Sequence, residues 1–519
     1  MHQRQQVIFF AAAFSCSIIL VAGCSSNRVA RSTYQVLESG KITESSKFLK
    51  VHMMNGDVYV LENWKVNEES REVYGKGRLF DPYRALVKQD SFAIPLGDVA
   101  LFESNVVSSS GPLMAMCIVT GVSAALTVFC LTHPKACFGS CPTFYVWDGK
   151  RMKVQAEAFS ASVTPSFEAT DIDALYMAKP VNRNLEVVLT NEAMETHVIK
   201  FAHILLAPRS RGARVFVTPS GEFFESKERI APQSAVADEG DCLQQISAAD
   251  GIERCSAADS NDLAAKESIY LTFNRAPSSE AGLVIGYRQT LLTTYLFYQA
   301  LAFMGNSSGY LVADLQRQNS DYVTKAKTLF WGAIGGIDVM VRGNDGAWEK
   351  AGEVSEIGPI ATNFELVPLP RLTSGQVKIR LVMTKGLWRI DYVALAGLDK
   401  RVEPVTIQPL AVIRGDSTND DVAKESLSGS GTSLVTMPGD KYSIIYRMPE
   451  DYENYEIFLQ ARGYYLEWVR KEWLAEEDPS MTLTMFSDPG RYLKILAPRF
   501  KKVEPFMEQS FWRSKYVEH

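Results

Sequence analysis

The chain has 519 residues, of which 46% are hydrophobic and 11% aromatic, enough for large cores in roughly two to four domains. Lysine and arginine number 54 and aspartate and glutamate 60, which gives a net charge of -6. This composition excludes a disordered chain and argues against nucleic acid as a partner, because nucleic-acid binders concentrate basic charge on one face.

The amino terminus has the form of a secretory signal peptide. Arg4 supplies a positive charge, an apolar core follows over residues 7–21, and small residues precede Cys24. Such a segment is removed on export and contributes nothing to the fold. We therefore expect residues 1–23 to be a signal peptide and the rest of the chain to lie outside the cytosol.

The end of this signal carries a recognisable motif. Val21-Ala22-Gly23-Cys24 resembles the lipobox of bacterial lipoproteins, and the body of the chain resembles an envelope lipoprotein of no assigned functional family. The resemblance implies that Cys24 becomes the amino terminus and carries lipid, palmitate included, and that Ser25 directs the protein to the outer membrane. Acyl chains contribute about 0.8 kcal/mol per buried CH₂ and anchor stably when several are attached. We expect a lipid-anchored, periplasm-facing envelope protein; a plain signal peptide is the alternative.

Cysteines outside the cytosol tend to form disulfides. With Cys16 in the signal and Cys24 under lipid, the possible disulfide partners are Cys117, Cys130, Cys137, Cys141, Cys242 and Cys255. Their pairing cannot be chosen from sequence, but Cys242 and Cys255 bracket a polar stretch and suggest a local disulfide contributing about 3 kcal/mol. Cys137 and Cys141 could ligate metal with His133, but lack the second ligand pair of zinc sites, so we expect no metal.

The first part of the mature chain predicts a tether and a small folded unit. Residues 24–44 are polar and rich in serine, which suits a tether from the membrane. Within residues 45–108, two apolar-rich runs flank Asn55-Gly56, a dipeptide that accepts the positive φ angles of a tight hairpin turn. Further runs follow at strand spacing and predict a small SH3-like or Sm-like β-barrel module.

An uncharged apolar run extends over Leu113–Leu131. At about 1.5 Å per residue it is just long enough to cross a bilayer. Polar and small residues dilute it, however, and no basic cluster marks either end. We expect an apolar connecting helix over residues 112–132, either buried or membrane-associated; a spanning helix is the alternative.

Residues 142–400 predict a β-rich, sandwich-like body because strand-length runs alternate with turn signals. Gln289–Gly305 is apolar nearly all round, which predicts a buried helix. We interpret Ala231–Ala265 as a long surface loop and Asp345-Gly346, just before Trp348, as a simple turn.

The end of the chain predicts a linker and a further segment. Residues 415–431 are rich in Ser, Asp, Thr and Gly and suggest a linker, which leaves residues 432–519 as a C-terminal α/β segment. One helix is expected to begin at Gly463, and another to run from Pro489 to Met507 with interruptions at its prolines. The whole chain is therefore expected to be mainly β with some helices (α+β).

Two groups of side chains are candidates for recognition or metal binding. The first is a possible recognition patch of Tyr464, Tyr465, Trp468 and Trp473. At helical spacing its members share a face that suits a partner or a glycan, with core packing as the alternative. The second is His197 and His203, which a regular strand would place on the same side. Because they lack an assignable third ligand, we expect no metal there.

The motifs of several enzyme classes are missing from the sequence. It contains no phosphate-binding glycine loop and no HExxH zinc motif, and Ser428-Gly-Ser-Gly-Thr432 is not a GxSxG nucleophile elbow. We expect no catalytic residues, no cofactor and a non-catalytic structural or interaction-platform role, with the membrane and envelope proteins as partners and glycan as a possible one. The alternative is a carbohydrate-binding or carbohydrate-active lipoprotein, which a crevice with aromatics and two carboxylates about 5 to 9.5 Å apart would favour.

Overall fold

The structure is a computed structural model, and it is mostly β with few helices, which confirms the expected fold class. It describes residues 27–34, 48–53, 57–67, 69–80, 86–109, 141–192, 195–305, 332–355, 358–372, 375–415, 418–437, 439–467 and 476–515. No helix within these ranges is both long enough and apolar enough to cross a membrane. The apolar helix expected over residues 112–132 lies outside the described residues.

The small amino-terminal module is one antiparallel sheet of six strands in the order β1-β6-β2-β3-β4-β5. Its strands are Asn27–Tyr34 (β1), Phe48–Met53 (β2), Val58–Asn67 (β3), Glu72–Phe80 (β4), Leu86–Pro95 (β5) and Val99–Ser109 (β6). The expected hairpin forms between β2 and β3, and β6 returns to pair with β2. Strands β1 and β5 are the two ends of the strand order, and a closed barrel remains a prediction. The tether prediction for residues 24–44 is wrong in part, because β1 pairs with β6 along its whole length.

The body begins with five strands that belong to one β-sandwich. They are Thr143–Trp147 (β7), Met152–Glu157 (β8), Ala169–Ala174 (β9), Asn184–Thr190 (β10) and Glu195–Pro208 (β11). Strands β7 and β8 form a hairpin, as their sequence predicts. Strand β11 is the longest of the five and pairs with three other strands.

The next part of the chain builds a second sandwich. Its strands are Arg214–Val217 (β12), Phe223–Ser226 (β13), Arg229–Ile230 (β14), Ser234–Ala237 (β15), Gly240–Asp241 (β16), Arg254–Cys255 (β17), Lys266–Phe273 (β18), Glu280–Gln289 (β19), Ile337–Arg342 (β20), Trp348–Val354 (β21), Asn363–Pro368 (β22), Val377–Thr384 (β23), Trp388–Leu398 (β24) and Lys400–Val402 (β25). Its helices are Leu243–Ile246 (α1) and Leu292–Met304 (α2). The buried helix expected at 289–305 is confirmed by α2.

The rest of the chain completes the first sandwich and ends in two helices. The elements are Val405–Ile407 (β26), Ala411–Arg414 (β27), Thr418–Asn419 (β28), Asp421–Leu427 (α3), Leu434–Thr436 (β29), Lys441–Arg447 (β30), Tyr455–Glu467 (β31), Pro479–Ser487 (α4) and Pro489–Lys515 (α5). The linker predicted at 415–431 is wrong, because Asp420 caps α3 and Ala423 and Leu427 are buried in the core of the first sandwich.

The second sandwich is an insertion within the first. Strands β11 and β26 flank the insertion in sequence and are direct neighbours in the sheet, with Leu206 opposite Val405. The first sandwich consists of the sheets β28-β27-β30-β10-β7-β8 and β26-β11-β31-β9, with β29 also on β11. The expected separation of a body at 142–400 from a segment at 432–519 is therefore wrong, because β30 and β31 pair with β10 and β11.

The four sheets of the body stack as layers. The sheet β14-β24-β19-β22-β12-β13-β25 packs on one side against the first sandwich, through residues such as Val215 and Phe458, and on the other against β16-β15-β18-β23-β20-β21. Each sheet contributes alternate residues to the cores between layers, as stacked sheets do. The sheet that contains β18 and β23 is the last layer, and its outward side faces away from the stack.

The C-terminal helices pack on the second sandwich. Helix α5 presents Tyr492, Leu496 and Phe500 to the same core that contains α2, at the spacing of one helix face. It continues through Pro498 and Pro505, so the interruptions predicted at the prolines are wrong. The apolar stripe on this face, buried against α2 and α4, holds the helix across positions where proline removes a backbone donor.

The stretch Ala231–Ala265 is folded, which corrects the prediction of a surface loop. It contains β15, β16, α1 and β17, and Arg254 anchors it through bonds from its guanidinium to Glu239 and Glu267. A second anchor is Asp391, whose Oδ1 accepts a hydrogen bond of 2.9 Å from the Gly251 amide. Burial raises the pKa of Asp391 to about 6.

We expect Asp391→Asn to stabilise the protein at neutral pH and to leave it unchanged near pH 4. Because the pKa of Asp391 is raised in the folded state, ionising this carboxyl destabilises the fold. The wild-type protein is therefore fully stable at a pH below the ordinary aspartate pKa and loses stability as the pH rises through about 6. Asparagine carries no charge and its Oδ1 still accepts from Gly251, so the gain above pH 6 reaches at most about 3 kcal/mol. Urea unfolding at pH 4 and pH 7.5 measures it, and an equal difference at both pH values would contradict the assignment.

Candidate functional site

Several residues predicted to be functional lie outside the described residues. They are Cys24, Cys117, Cys130, Cys137, Trp468 and Trp473. Lipidation of Cys24 and the disulfides of the other three cysteines remain predictions.

The other three predicted cysteines lie at the edges of the two sandwiches. Cys141 Sγ lies 3.8 Å from the carbonyl oxygen of Ser160, just before β7. Cys242 is buried, donates to the carbonyl of Ala235 at 3.5 Å, and has a pKa raised by burial to about 11. Cys255, at the end of β17, contacts the carbonyl of its neighbour Ser256. The expected Cys242–Cys255 pair is not joined in the structure; each thiol lies against a backbone carbonyl, and a disulfide formed under oxidising conditions remains a prediction.

The aromatic patch predicted near residue 464 is not a helical surface. Tyr464 and Tyr465 lie in β31 and pair with Val198 and His197 of β11. Both tyrosines are buried, and the Tyr465 hydroxyl donates to the carbonyl of Ser160 at 2.9 Å. In a strand, consecutive side chains point to opposite faces, so the two tyrosines pack in different layers and form no exposed patch.

The two histidines of β11 point to opposite faces, which corrects the prediction that they share a side. A β-bulge between Ile199 and Phe201 shifts the register and reverses the alternation beyond it. His197 is therefore buried on the side of the first-sandwich core, 3.4 Å from a Glu195 oxygen. His203 stacks on Phe201 at 4.6 Å. In the described part of the chain no three His, Cys, Asp or Glu side chains are grouped so that they could hold a metal ion.

A group of acidic side chains lies where the two sandwiches meet. Glu157 of β8 accepts a 2.7 Å hydrogen bond from the amide of Ile360, and Glu365 of β22 accepts one of 2.7 Å from Tyr287. Asp173 of β9 is only 5% exposed, and burial, with Asp171 and the other carboxylates nearby, raises its pKa well above the usual value. The group is thus inside the junction and not in an open crevice.

The outward side of the last sheet layer carries a row of large side chains. Cross-strand pairing aligns Val236, Tyr270, Arg380, Met340 and Lys350 across five strands. Their sequence neighbours, such as Ile269, Leu271 and Ile379, point into the core. Trp348 lies on the same side, opposite Arg342. We call Val236, Tyr270, Met340, Trp348 and Arg380 the aromatic face.

The centre of the aromatic face is an arrangement of two rings and a cation. The rings of Tyr270 and Trp348 lie edge to face, with centroids 6.1 Å apart. The Arg380 guanidinium carbon lies 5.0 Å from the centroid of the Trp348 ring, within the range of a cation–π contact. Tyr270 is 46% exposed. This arrangement presents flat apolar surface and a fixed positive charge to solvent.

Cations around the aromatic face differ in how they are paired. Lys350 forms 2.7 Å ion pairs with Asp338 and Glu353. Arg342, Lys378 and Arg380 have no ion-pair partner among the described residues, and the Arg380 Nε is buried without a hydrogen-bond acceptor there. Glu349 pairs with Val341, so it points to the side opposite Trp348. Asp241 lies opposite Val236 at one end of the row, so the positive charge is concentrated at the other end, around Arg380 and Trp348.

The aromatic face is not predicted as a site from the sequence, although its signals are there. The alternation in Ser268–Phe273 and Val377–Thr384 separates outward Tyr270, Lys378 and Arg380 from inward apolar residues. Trp348, expected only to follow a turn, begins β21. What the sequence lacks is the pairing that brings these strands side by side.

No family model matches the chain, and no curated protein matches it. Among solved structures, a GH31 alpha-xylosidase from Xanthomonas citri aligns at 7% identity and a TM-score of 0.15, over 81% of this chain and 38% of the xylosidase. The Gt strain of infectious bursal disease virus aligns at 11% identity and a TM-score of 0.16, over 95% of this chain and 94% of the viral one. The Gx strain of the same virus aligns at 10% identity and a TM-score of 0.13, over 95% of this chain and 92% of the viral one. Likenesses this weak assign the chain to no family.

Proposed function

We propose that this protein is a lipid-anchored component of the cell envelope, attached through Cys24, facing the periplasm, and acting as a non-catalytic interaction platform. The lipobox-like residues Val21-Ala22-Gly23-Cys24 support the anchor. The layered body supports the platform, because stacked sheets hold an outward surface rigidly.

The observation that carries the platform role is the aromatic face. A half-exposed tyrosine and a partly exposed tryptophan, beside an arginine with no ion-pair partner among the described residues, are typical of the centre of binding surfaces. Tyr270 and Arg380 are directly opposite each other on paired strands, so the sheet fixes their spacing. A partner that covers them gains apolar contact without having to order a loop.

The acidic group at the junction supports a structural role more than a catalytic one. Glu157 of the first sandwich accepts a hydrogen bond from Ile360 of the second, Glu365 accepts one from Tyr287 within the second, and Asp173 is buried beside them. A pair of catalytic carboxylates must reach a substrate, whereas Glu157 joins the two sandwiches and Asp173 is buried between them.

Carbohydrate binding is a second candidate. It is favoured by the Tyr270 and Trp348 rings, whose centroids are 6.1 Å apart on an open sheet face. Aromatic rings of this kind offer an apolar body on which the C–H side of a sugar ring can lie.

Cross-linking and pull-down from intact envelopes tests the platform role. We expect the wild-type chain to be recovered with a partner and the double variant Tyr270→Ala/Trp348→Ala to be recovered without it. Tyr74→Ala, at an exposed tyrosine of the small module, is the matched control and should keep the partner. Recovery of the wild-type chain alone would count against the proposal.

We expect Cys24→Ser to abolish lipid labelling and to release the protein from the membrane. The thiol of Cys24 is the acceptor of the diacylglycerol in the proposed anchor, and serine has none. Growth with a clickable palmitate analogue, followed by membrane fractionation, measures both effects; Cys16→Ser is the control and should label normally. A Cys24→Ser chain that still takes up the label would contradict the anchor.

A further inference from the structure

We propose that the aromatic face binds an acidic polysaccharide, a chain of sugars bearing carboxylate, sulfate or phosphate groups. The inference rests on the proposed binding role and names its ligand class. It follows from three features of the face: its ring surface, its unpaired cations and its open shape.

The ring surface suits sugars. Tyr270 and Trp348 lie edge to face at an angle of 61°, so their ring planes meet a ligand from two directions. Met340 lies beside them in the row, opposite Arg380, and adds flexible apolar surface. A pyranose ring has one side of C–H groups that can pack on such a surface while its hydroxyls stay in water.

The positive charge of the face favours acidic sugars over neutral ones. Arg342, Lys378 and Arg380 lie on the outward side without an ion-pair partner among the described residues, whereas Lys350 at the edge has two carboxylates. An arginine held over an aromatic ring keeps its guanidinium in place for bidentate contact with a carboxylate or a phosphate. An anionic group on the ligand would pair with these cations.

The shape of the face favours an extended chain over a small molecule. The row from Val236 to Lys350 crosses five neighbouring strands, a width of roughly 19 Å at the usual strand spacing. It is a sheet surface and not a cavity, and small ligands are generally enclosed in pockets. A polysaccharide of several units lying across the strands would reach both the rings and the cations.

The test is binding of the intact lipoprotein, in detergent, to immobilised alginate, a polyuronate, and to dextran, a neutral glucan. We expect the protein to be retained on alginate and not on dextran. Trp348→Ala should weaken alginate binding at least tenfold, since a central aromatic is lost. The exposed-cation variants Arg342→Gln and Lys378→Gln should weaken it several-fold and reduce its salt dependence. Tyr74→Ala, with the same folded circular dichroism spectrum, should bind as the wild type does.

Three outcomes would overturn the inference, and they separate it from the proposed function. Equal binding of alginate and dextran would show that charge does not select the ligand. Alginate binding that survives Trp348→Ala and Lys378→Gln would place the site elsewhere. If neither polymer binds while the envelope pull-down still depends on Tyr270 and Trp348, the ligand class is wrong and the platform role stands. If neither polymer binds and the pull-down recovers no partner, both the ligand class and the platform role are wrong.

Discussion

Replacing Arg254 with alanine is expected to lower the free energy of unfolding by about 3–5 kcal/mol. The side chains of Arg254 and Glu267 are each 1% exposed. Two bonds of 2.8 and 2.7 Å join the guanidinium to Glu267, and two more of 2.7 and 2.8 Å join it to Glu239. Alanine would leave the Glu267 carboxylate buried without its cation, which is far more costly than losing the contact alone.

A double variant separates the buried charge from the loss of packing. Arg254→Met/Glu267→Gln removes both charges and keeps most of the volume, so it should recover most of the stability that Arg254→Ala loses. Urea unfolding of the three proteins at pH 7 measures this. If Arg254→Ala were within about 1 kcal/mol of the wild type, Arg254 would not be the anchor of residues 231–265.

Replacing Tyr176 with alanine is expected to destabilise the junction of the two sandwiches by about 3 kcal/mol. The Tyr176 hydroxyl donates to the carbonyl of Val215 at 2.8 Å, and its ring lies 5.3 Å from Phe364 and 6.1 Å from Phe458. These partners come from both sandwiches. Removal of the ring leaves a cavity between them, lined by aromatics that cannot close it.

The phenylalanine variant is the control for the Tyr176 ring. Tyr176→Phe keeps the ring and loses one hydrogen bond, so it should cost only about 1 kcal/mol. Fluorescence-monitored urea unfolding gives both values, and the alanine variant should show a broader or split transition as the sandwiches uncouple. A Tyr176→Ala protein with wild-type stability and a single unchanged transition would show that the junction does not depend on this ring.

Local patterns in the sequence predict the elements held by short-range pairing. The hairpin of β2 and β3 and the buried helix α2 both follow from turn chemistry and apolar pattern in the sequence. These elements depend on residues close together in sequence, where pattern is informative.

Long-range pairing explains most of what the sequence does not show. Strand β11 pairs with β26, β29 and β31 from the far end of the chain, and no local signal reveals that β12–β25 are an insertion. The same pairing makes Tyr464 and Tyr465 strand residues, although their spacing with Trp468 also fits a helix face. The bulge after Ile199 separates the two histidines for a similar reason.

The aromatic face illustrates the same limit at the candidate site. Tyr270 and Arg380 each occupy a polar position in an alternating strand, which predicts that both point outward. Tyr270 and Arg380 become neighbours only because β18 pairs with β23. Trp348 joins the same side of the sheet because β21 pairs with β20. A surface made from five strands that are spread along the chain cannot be assembled from sequence order.

The most direct test of the account is site-specific photo-cross-linking in intact cells. A benzophenone amino acid would replace Tyr270 on the aromatic face in one strain, and Tyr74, which is 41% exposed on the small module, in another. The account predicts an envelope adduct of higher mass from position 270 that Trp348→Ala removes, and little or none from position 74. Adducts of equal yield from both positions, or none from position 270, would contradict the claim that this face is the binding surface of the protein.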